Sequence, residues 1–394
     1  MGLSALADLH LRAMGPNVRH HSLWIDQLDR SERAALSRHE PTELDLCPDI
    51  LVVGGGILGV ATALACTRRG LGKTLLVEAE HIGAGPSGKA AGLLLPDLHV
   101  GLEPPFFTDL ARRSLEEWRE LQALYPNIGL SELDAVGLEP LEDRFGSDVP
   151  AMAESLARDE LATLIPGFEA SGSGFLLRGQ AHLNPLQALA VMTELLDAVA
   201  TGVEVVSVEV KGERIVKVLS SAGTFQPGAV VFCTGEPPRG LGFQLEIPST
   251  RVRGHMFCTD PAPFRLAGMI PAVCTQLPDR RLLIGGSLDV GSTAEAVDTA
   301  IIDLLRGELL AALPWAESLA ISHAWTCFRP AHPDLLPVVD RVPGISNTWF
   351  TSGHYRTGIL MAPVVAAEVA RWMEEGQPSA EFAELRCERL LSTD

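Results

Sequence analysis

The stretch VVGGGILGVATALACTRRGLGKTLLVEAE, residues 52–80, constrains this chain more than any other. Gly54, Gly56 and Gly59 stand in GxGxxG spacing between a short apolar run, DILVV, and a helix-like run that Gly70 stops. KTLLVEA then reads as a second buried strand. Gly54 permits a tight turn, Gly56 lets the backbone approach a pyrophosphate, and Gly59 lets the helix pack on the strand. The helix start at Ile57 turns unpaired N–H groups and the positive dipole end toward the phosphates. Glu78, followed by Ala79, lies 19 residues past Gly59, where a carboxylate can take both ribose hydroxyls. The glycine spacing by itself is weak. With both strands, the helix and the acid in place it specifies dinucleotide binding and opens a doubly wound sheet.

GAGPSGKAAG, residues 83–92, comes within one residue of a P-loop, but Ala90 stands where a triphosphatase needs a magnesium-binding hydroxyl. It follows the acid-bearing strand, and neither a strand of its own nor a following helix is visible. It therefore reads as a second loop crossing the same cofactor. Ser87, Lys89, Ala90, Ala91 and Gly92 would lie near phosphates and ring, with small residues for close approach, and Leu93 follows toward the substrate.

The remaining chain supports one large fold or two interleaved ones. With 394 residues, 46% of them hydrophobic, two modest cores can be buried. The net charge of −19 and the lack of a Lys/Arg stripe disfavour nucleic acid and anionic membrane as partners. Seven cysteines without a CxxC read as reduced thiols in a cytoplasmic protein. No signal-peptide pattern and no apolar run of 18 residues is read. Eleven histidines hold no ligand-spaced pair besides His20-His21, so no metal site is expected.

Residues 1–47 read as a polar extension with one amphipathic piece, SLWIDQLDRSERAAL. Helices are expected over 108–125 with Thr108 as N-cap, over 184–199 with Asn184 as N-cap and Pro185 in the first turn, through STAEAVDTAIIDLLRGELLAALP, and over 358–375. Strands are expected at VEVVSVEV, RIVKVLS, GAVVFCTG, 251–259 and 280–288. Mixed strands between the two halves of a nucleotide-binding pattern suggest one domain inserted into another.

Four stretches now carry a family resemblance: the glycine turn with its acid strand, GAGPSGKAAGLL, VVFCTG, and CFRPAHPDLLPVVD…FTSGHYRTGILMAP. They resemble the D-amino acid oxidase-like FAD oxidoreductases, and within them the glycine oxidases, from about Asp49 to Arg371. The resemblance implies an α/β fold: a discontinuous Rossmann-type FAD domain (48–130, 172–240 and 323–380) with an inserted α+β substrate domain on an antiparallel sheet (131–171 and 241–322). Residues 381–394 would form a C-terminal tail. It also implies noncovalent FAD, a small amine carboxylate as substrate and molecular oxygen as acceptor; association into a homo-oligomer is left open. In this family hydride passes from the carbon beside an amine to the flavin, oxygen reoxidises it to give hydrogen peroxide, and the imine hydrolyses.

Carried over residue by residue, Arg329 matches the arginine that grips the substrate carboxylate, and a guanidinium suits that task as a two-pronged donor. Arg356 matches one near the flavin and the pocket mouth; it either orients flavin or substrate or forms a structural ion pair. His354 is expected to pack on the flavin, since hydride transfer from a neutral amine needs no acid or base. Thr357, Gly358, Ile359 and Leu360 begin a helix aimed at the flavin, whose dipole favours a reduced anion. Thr234 and Gly235 pass the cofactor, and Val208 contacts adenine through its backbone. Thr275 stands where glycine oxidases commonly have a tyrosine, and Leu288 where a methionine is common. That implies a larger, more apolar pocket and favours an N-substituted glycine over glycine. Cys327 stands near the place where sarcosine oxidases attach FAD. Two alternatives stay open: a dehydrogenase of the same fold acting on a D-amino acid or sarcosine-like amine with another electron acceptor, and a non-catalytic flavoprotein subunit.

Overall fold

A computed structural model describes residues 18–38, 44–168 and 172–391. The buried run Ile50–Val53 is the centre of a six-stranded sheet. Its order is Val338–Arg341, Thr348–Ser352, Ala229–Gly235, Ile50–Val53, Thr74–Glu78, Ala198–Thr201. All neighbours pair in parallel except Val338–Arg341 with Thr348–Ser352. Parallel strands buried on both faces need continuous apolar side chains, and ILVV and TLLV supply them.

Helix Ile57–Arg69 leaves the first strand through the glycine turn and stops at Gly70, whose φ of 67° is left-handed. It packs against Gly358–Glu375. That second helix contains Pro363, which removes the hydrogen bond normally made to the carbonyl of Ile359. The Trp118 indole N–H donates to that carbonyl at 2.9 Å instead. Trp118 comes from helix Pro105–Leu124, which starts three residues before the expected Thr108 cap. Pro105 carries the φ a first turn needs, so the helix begins there and Thr108 is buried inside it. Helix Pro185–Glu194 has the expected cap, Asn184 accepting from Leu186 and Gln187 N–H at 3.0 and 3.2 Å. It ends earlier than expected, because Ala198–Thr201 joins the parallel sheet.

A ten-stranded, mainly antiparallel sheet forms the second layer. Its longest pairing joins Thr250–Pro261 to Ile321–Ala331, with Gly254 opposite Cys327 and Val252 opposite Arg329. Gly174–His182 and Ile321–Ala331 belong to this sheet, so segments expected in the nucleotide half contribute to both layers. A small antiparallel sheet, Val205–Lys211, Arg214–Ser220 and Gly223–Phe225, flanks the parallel one.

The amphipathic N-terminal piece forms two short helices, Leu23–Gln27 and Arg30–Leu36. Asp29 and Glu32 make a capping box on the second. Leu23, Trp24, Leu28, Ala35 and Leu36 are buried in the same core as helix Ile57–Arg69. No helix among the described residues is long and apolar enough to cross a membrane.

Candidate active site

The glycine turn, the loop after the acid strand and the large sheet enclose one cavity of about 800 Å³. The turn is tight for physical reasons. Gly54 has φ +112°, and a Cβ there would lie 2.5 Å from the Cys233 carbonyl oxygen. At Gly59 a Cβ would lie 1.9 Å from the Gly54 oxygen, so helix and turn touch backbone to backbone. No side chain of Gly56 caps the helix, and Ile57 N–H donates to Ser87 Oγ at 3.0 Å. Glu78 accepts from Gly55 N–H at 2.6 Å and Glu80 N–H at 3.0 Å, which fixes its carboxylate at the cavity edge.

Residues 86–92 cross the cavity as one turn of 3₁₀ helix, Pro86–Lys89, and a short irregular piece that turns at Gly92, whose φ is 73°. The opposite wall is the start of helix Gly358–Glu375, which has no side-chain cap. His354 lies beneath it, its Nε2 2.5 Å from Thr351 Oγ1 and its Nδ1 without a partner among the described residues. Burial pushes the His354 pKa down to about 3, so the ring is neutral at ordinary pH and unsuited to act as an acid there. Tyr355 holds a left-handed φ of 46°, and the exposed Arg356 guanidinium stacks over its ring at 5.2 Å.

Arg329 reaches the cavity from strand Ile321–Ala331. Its guanidinium donates to the Ser287 carbonyl at 3.1 Å and lies flat against Gly254, where a Cβ would sit 2.3 to 2.6 Å from its Nη1, Nη2 and Cζ atoms. No ion pair with Arg329 is formed among the described residues. Met256, Met269, Ile270, Val273, Thr275 and Leu283 line the same end. A half-buried cation beside apolar walls suits an anionic group on an otherwise apolar ligand.

Of the residues expected at the site, Gly54, Gly56, Ile57, Glu78, Ala79, Ser87, Lys89, Ala90, Ala91, Gly92, Leu93, Thr234, Gly235, Thr275, Arg329, His354, Arg356, Thr357, Gly358, Ile359 and Leu360 line this cavity. Gly59 sits just behind it. Leu288 does not line it: the strand ends at Gly285, Gly286 turns at φ +124°, and Leu288 is 59% exposed. Val208 does not line it either. Its N–H donates to the Leu241 carbonyl at 2.6 Å, and Val203 and Val205 border the cavity in its place. The resemblance that placed Val208 at the adenine takes no account of a register irregularity between Val205 and Ser207 in its strand. The two methionines, Val203 and Gly254 were missed; no local pattern marks them.

The Cys327 thiol borders the cavity, and burial pushes its pKa up. Its Sγ lies 3.7 Å from the Pro86 carbonyl.

A parallel sheet with a glycine turn, an acid at the second strand end and a second sheet closing over the far half define a dinucleotide-dependent oxidoreductase of the flavoprotein class. The model of the FAD dependent oxidoreductase family matches residues 49–372, and the chain belongs to that family. It is 29% identical to a glycine oxidase of Pseudomonas aeruginosa over 84% of this chain and 95% of that protein. It is also 29% identical to a putative thiamine biosynthesis oxidoreductase of Rhizobium etli, over 84% of this chain and 98% of that protein. The crystal structure of glycine oxidase from Geobacillus kaustophilus superposes with a TM-score of 0.78 at 23% identity, covering 88% of this chain and all of that one. FAD, the family's cofactor, fits the residues present: a side-chain-free cradle at Gly54–Gly56, a carboxylate for ribose and an uncapped helix start at the far wall.

Proposed function

We propose that this enzyme oxidises the carbon–nitrogen bond of a small amine carboxylate, preferably an N-substituted glycine. The carrying observation is Arg329, a guanidinium in the cavity with no carboxylate partner among the described residues, set against Met256, Met269 and Thr275. FAD, when bound, would supply the two-electron acceptor for the α-hydrogen, with oxygen as the terminal acceptor that the peroxide test below checks. The chain's own residues bind and orient. Gly54, Gly56 and the start of helix Ile57–Arg69 would hold the pyrophosphate, Glu78 the ribose, and Val203 and Val205 would border the adenine. Arg329 would fix the substrate carboxylate through two parallel N–H bonds, and Arg356 stands at the mouth without an ion pair among the described residues. Burial holds His354 neutral and weakly basic, so this ring is not the group that would deprotonate the amine, whose own lone pair would assist hydride transfer. Orientation by Arg329 then carries most of the protein's share of catalysis. FAD would be held without a covalent bond, since the buried Cys327 is a thiol rather than a thiolate at neutral pH.

The apolar wall would border an alkyl group on the substrate nitrogen. Thr275 is 3% exposed and in contact range of this space, although Leu288 contributes nothing to it. Each buried methylene should add about 0.8 kcal/mol, a few-fold per carbon until the space is full. The test is anaerobic flavin reduction across glycine, sarcosine, longer N-alkyl glycines and D-amino acids. Rates rising with alkyl length support the reading. Glycine bleaching the flavin fastest refutes the preference, and bleaching by none of them refutes the amine carboxylate. Peroxide formed per turnover in air separates an oxidase from a dehydrogenase.

A further inference from the structure

The cofactor-crossing loop is tied down on its outer side, one carbonyl at a time. Trp325 Nε1 donates to the Lys89 carbonyl at 3.0 Å, Trp24 Nε1 to the Ala90 carbonyl at 2.7 Å, and Leu183 N–H to the Gly92 carbonyl at 3.0 Å. In a planar trans peptide the C=O and the N–H of the next residue point in opposite directions. The indole on the Lys89 carbonyl therefore aims the Ala90 N–H away from itself, and the indole on the Ala90 carbonyl does the same for Ala91. Both alanines line the cavity, and neither N–H donates to a backbone carbonyl or side chain among the described residues.

Trp24 lies outside residues 49–372, the span of the family match. It is 1% exposed, and its segment is fastened at several points. Asn184 Nδ2 donates to the Trp24 carbonyl at 3.4 Å and to Gln27 Oε1 at 3.2 Å. Arg19 N–H donates to the Ser322 carbonyl, and Ala324 N–H to the Arg19 carbonyl, both at 3.0 Å. The Asp26 carboxylate gathers His323 at 2.8 Å, His21 at 3.1 Å and Arg19. The strap thus bridges the strand that bears Arg329 and the loop that crosses the cofactor.

We propose that Trp24 is a positioning residue for FAD: its indole N–H sets the Ala90–Ala91 peptide plane so that the Ala91 N–H is presented to an acceptor atom of the bound cofactor. Without that donor the loop samples the opposite peptide orientation, and the apparent dissociation constant rises as the competent fraction falls. The indole ring fills space and the indole N–H orients the peptide, so Trp24→Phe separates the two contributions.

The experiment measures the FAD dissociation constant of the deflavinated full chain by flavin fluorescence quenching, alongside the melting temperature of the same apoprotein. Trp24→Phe should raise the constant about tenfold, corresponding to a competent fraction near one tenth, and Trp24→Ala should raise it further. A wild-type constant in Trp24→Phe, whatever its melting temperature, overturns the proposal and leaves Trp24 a packing residue. Should that variant not fold, Asp26→Asn loosens the strap at its exposed end, and about a threefold rise is expected. An unchanged constant there overturns the proposal equally.

Discussion

Adding one methyl group at Gly254 tests whether Arg329 grips the substrate. The Cβ of Gly254→Ala would meet Arg329 Nη1 at 2.3 Å, while ordinary contact begins at 3.4 Å, so the guanidinium must retreat by about 1.1 Å. The atoms in the way are the far end of a flexible side chain, and Gly254 has no left-handed φ, so the sheet itself tolerates alanine. The fold should survive with its flavin while the carboxylate grip is displaced. A misplacement of about 1 Å costs roughly 100-fold in rate, or about 2.7 kcal/mol. Removing the guanidinium outright, as in Arg329→Ala, should cost about 2–5 kcal/mol.

The two effects run through one group and must not add. In single-turnover anaerobic flavin reduction, Gly254→Ala should lose about 100-fold in specificity constant for amine carboxylates. The double variant Gly254→Ala/Arg329→Ala should match Arg329→Ala alone. An amide analogue, lacking the carboxylate charge, should be slow with wild type and little changed by Gly254→Ala. Wild-type rates in a flavin-loaded Gly254→Ala protein refute the assignment of Arg329, and so does a double variant slower than Arg329→Ala by the full single-variant factor.

Three further outcomes are expected. Gly56→Val should yield colourless protein with a near-normal fold, because its side chain, starting 3.2 Å from Ser87 Oγ, occupies the phosphate cradle; retained yellow colour contradicts the cradle. Acid precipitation should leave flavin in the supernatant, and Cys327→Ser should retain wild-type flavin content; pellet-bound flavin would mean covalent attachment. Burial depresses His182 to about 4 and His354 to about 3 from 6.5, so the unfolded chain binds more protons between those values. Their contribution to stability is complete above pH 6.5 and is lost as pH falls toward 4 and 3. Denaturant titrations should show stability declining below pH 6.5, with a shallower decline in His182→Gln; equal slopes refute the buried-histidine account.

The nucleotide half was legible because its chemistry is local. Gly54, Gly56, Gly59 and Glu78 act through a turn, a helix start and a strand end within thirty residues, and spacing alone orders them. The last helix was legible for the same reason, its GHYRTG lead-in preceding Gly358–Glu375 directly. Leu288 and Val208, both carried over from the resemblance, fall outside the cavity lining at local breaks in their strands. Two glycines end the strand at Gly285, so the next side chains no longer alternate across the sheet. The irregularity between Val205 and Ser207 does the same to the strand that bears Val208.

What escaped the sequence most completely is contact between distant segments, and the proposed substrate end is made of such contacts. Arg329 means little until strand pairing lays its guanidinium over Gly254, 75 residues earlier, and brings the Ser287 carbonyl to it. Gly254 carries no turn or positive φ that would mark it in a sequence; its lack of a side chain matters only because an arginine rests there. Trp24 is the same kind of residue, an ordinary amphipathic position whose importance lies in a carbonyl 66 residues away. In each case the residue that bears the chemistry is recognisable and the residue that positions it is not. Substitutions at Gly254 and Trp24 should therefore alter binding and orientation while leaving the recognisable chemical groups intact.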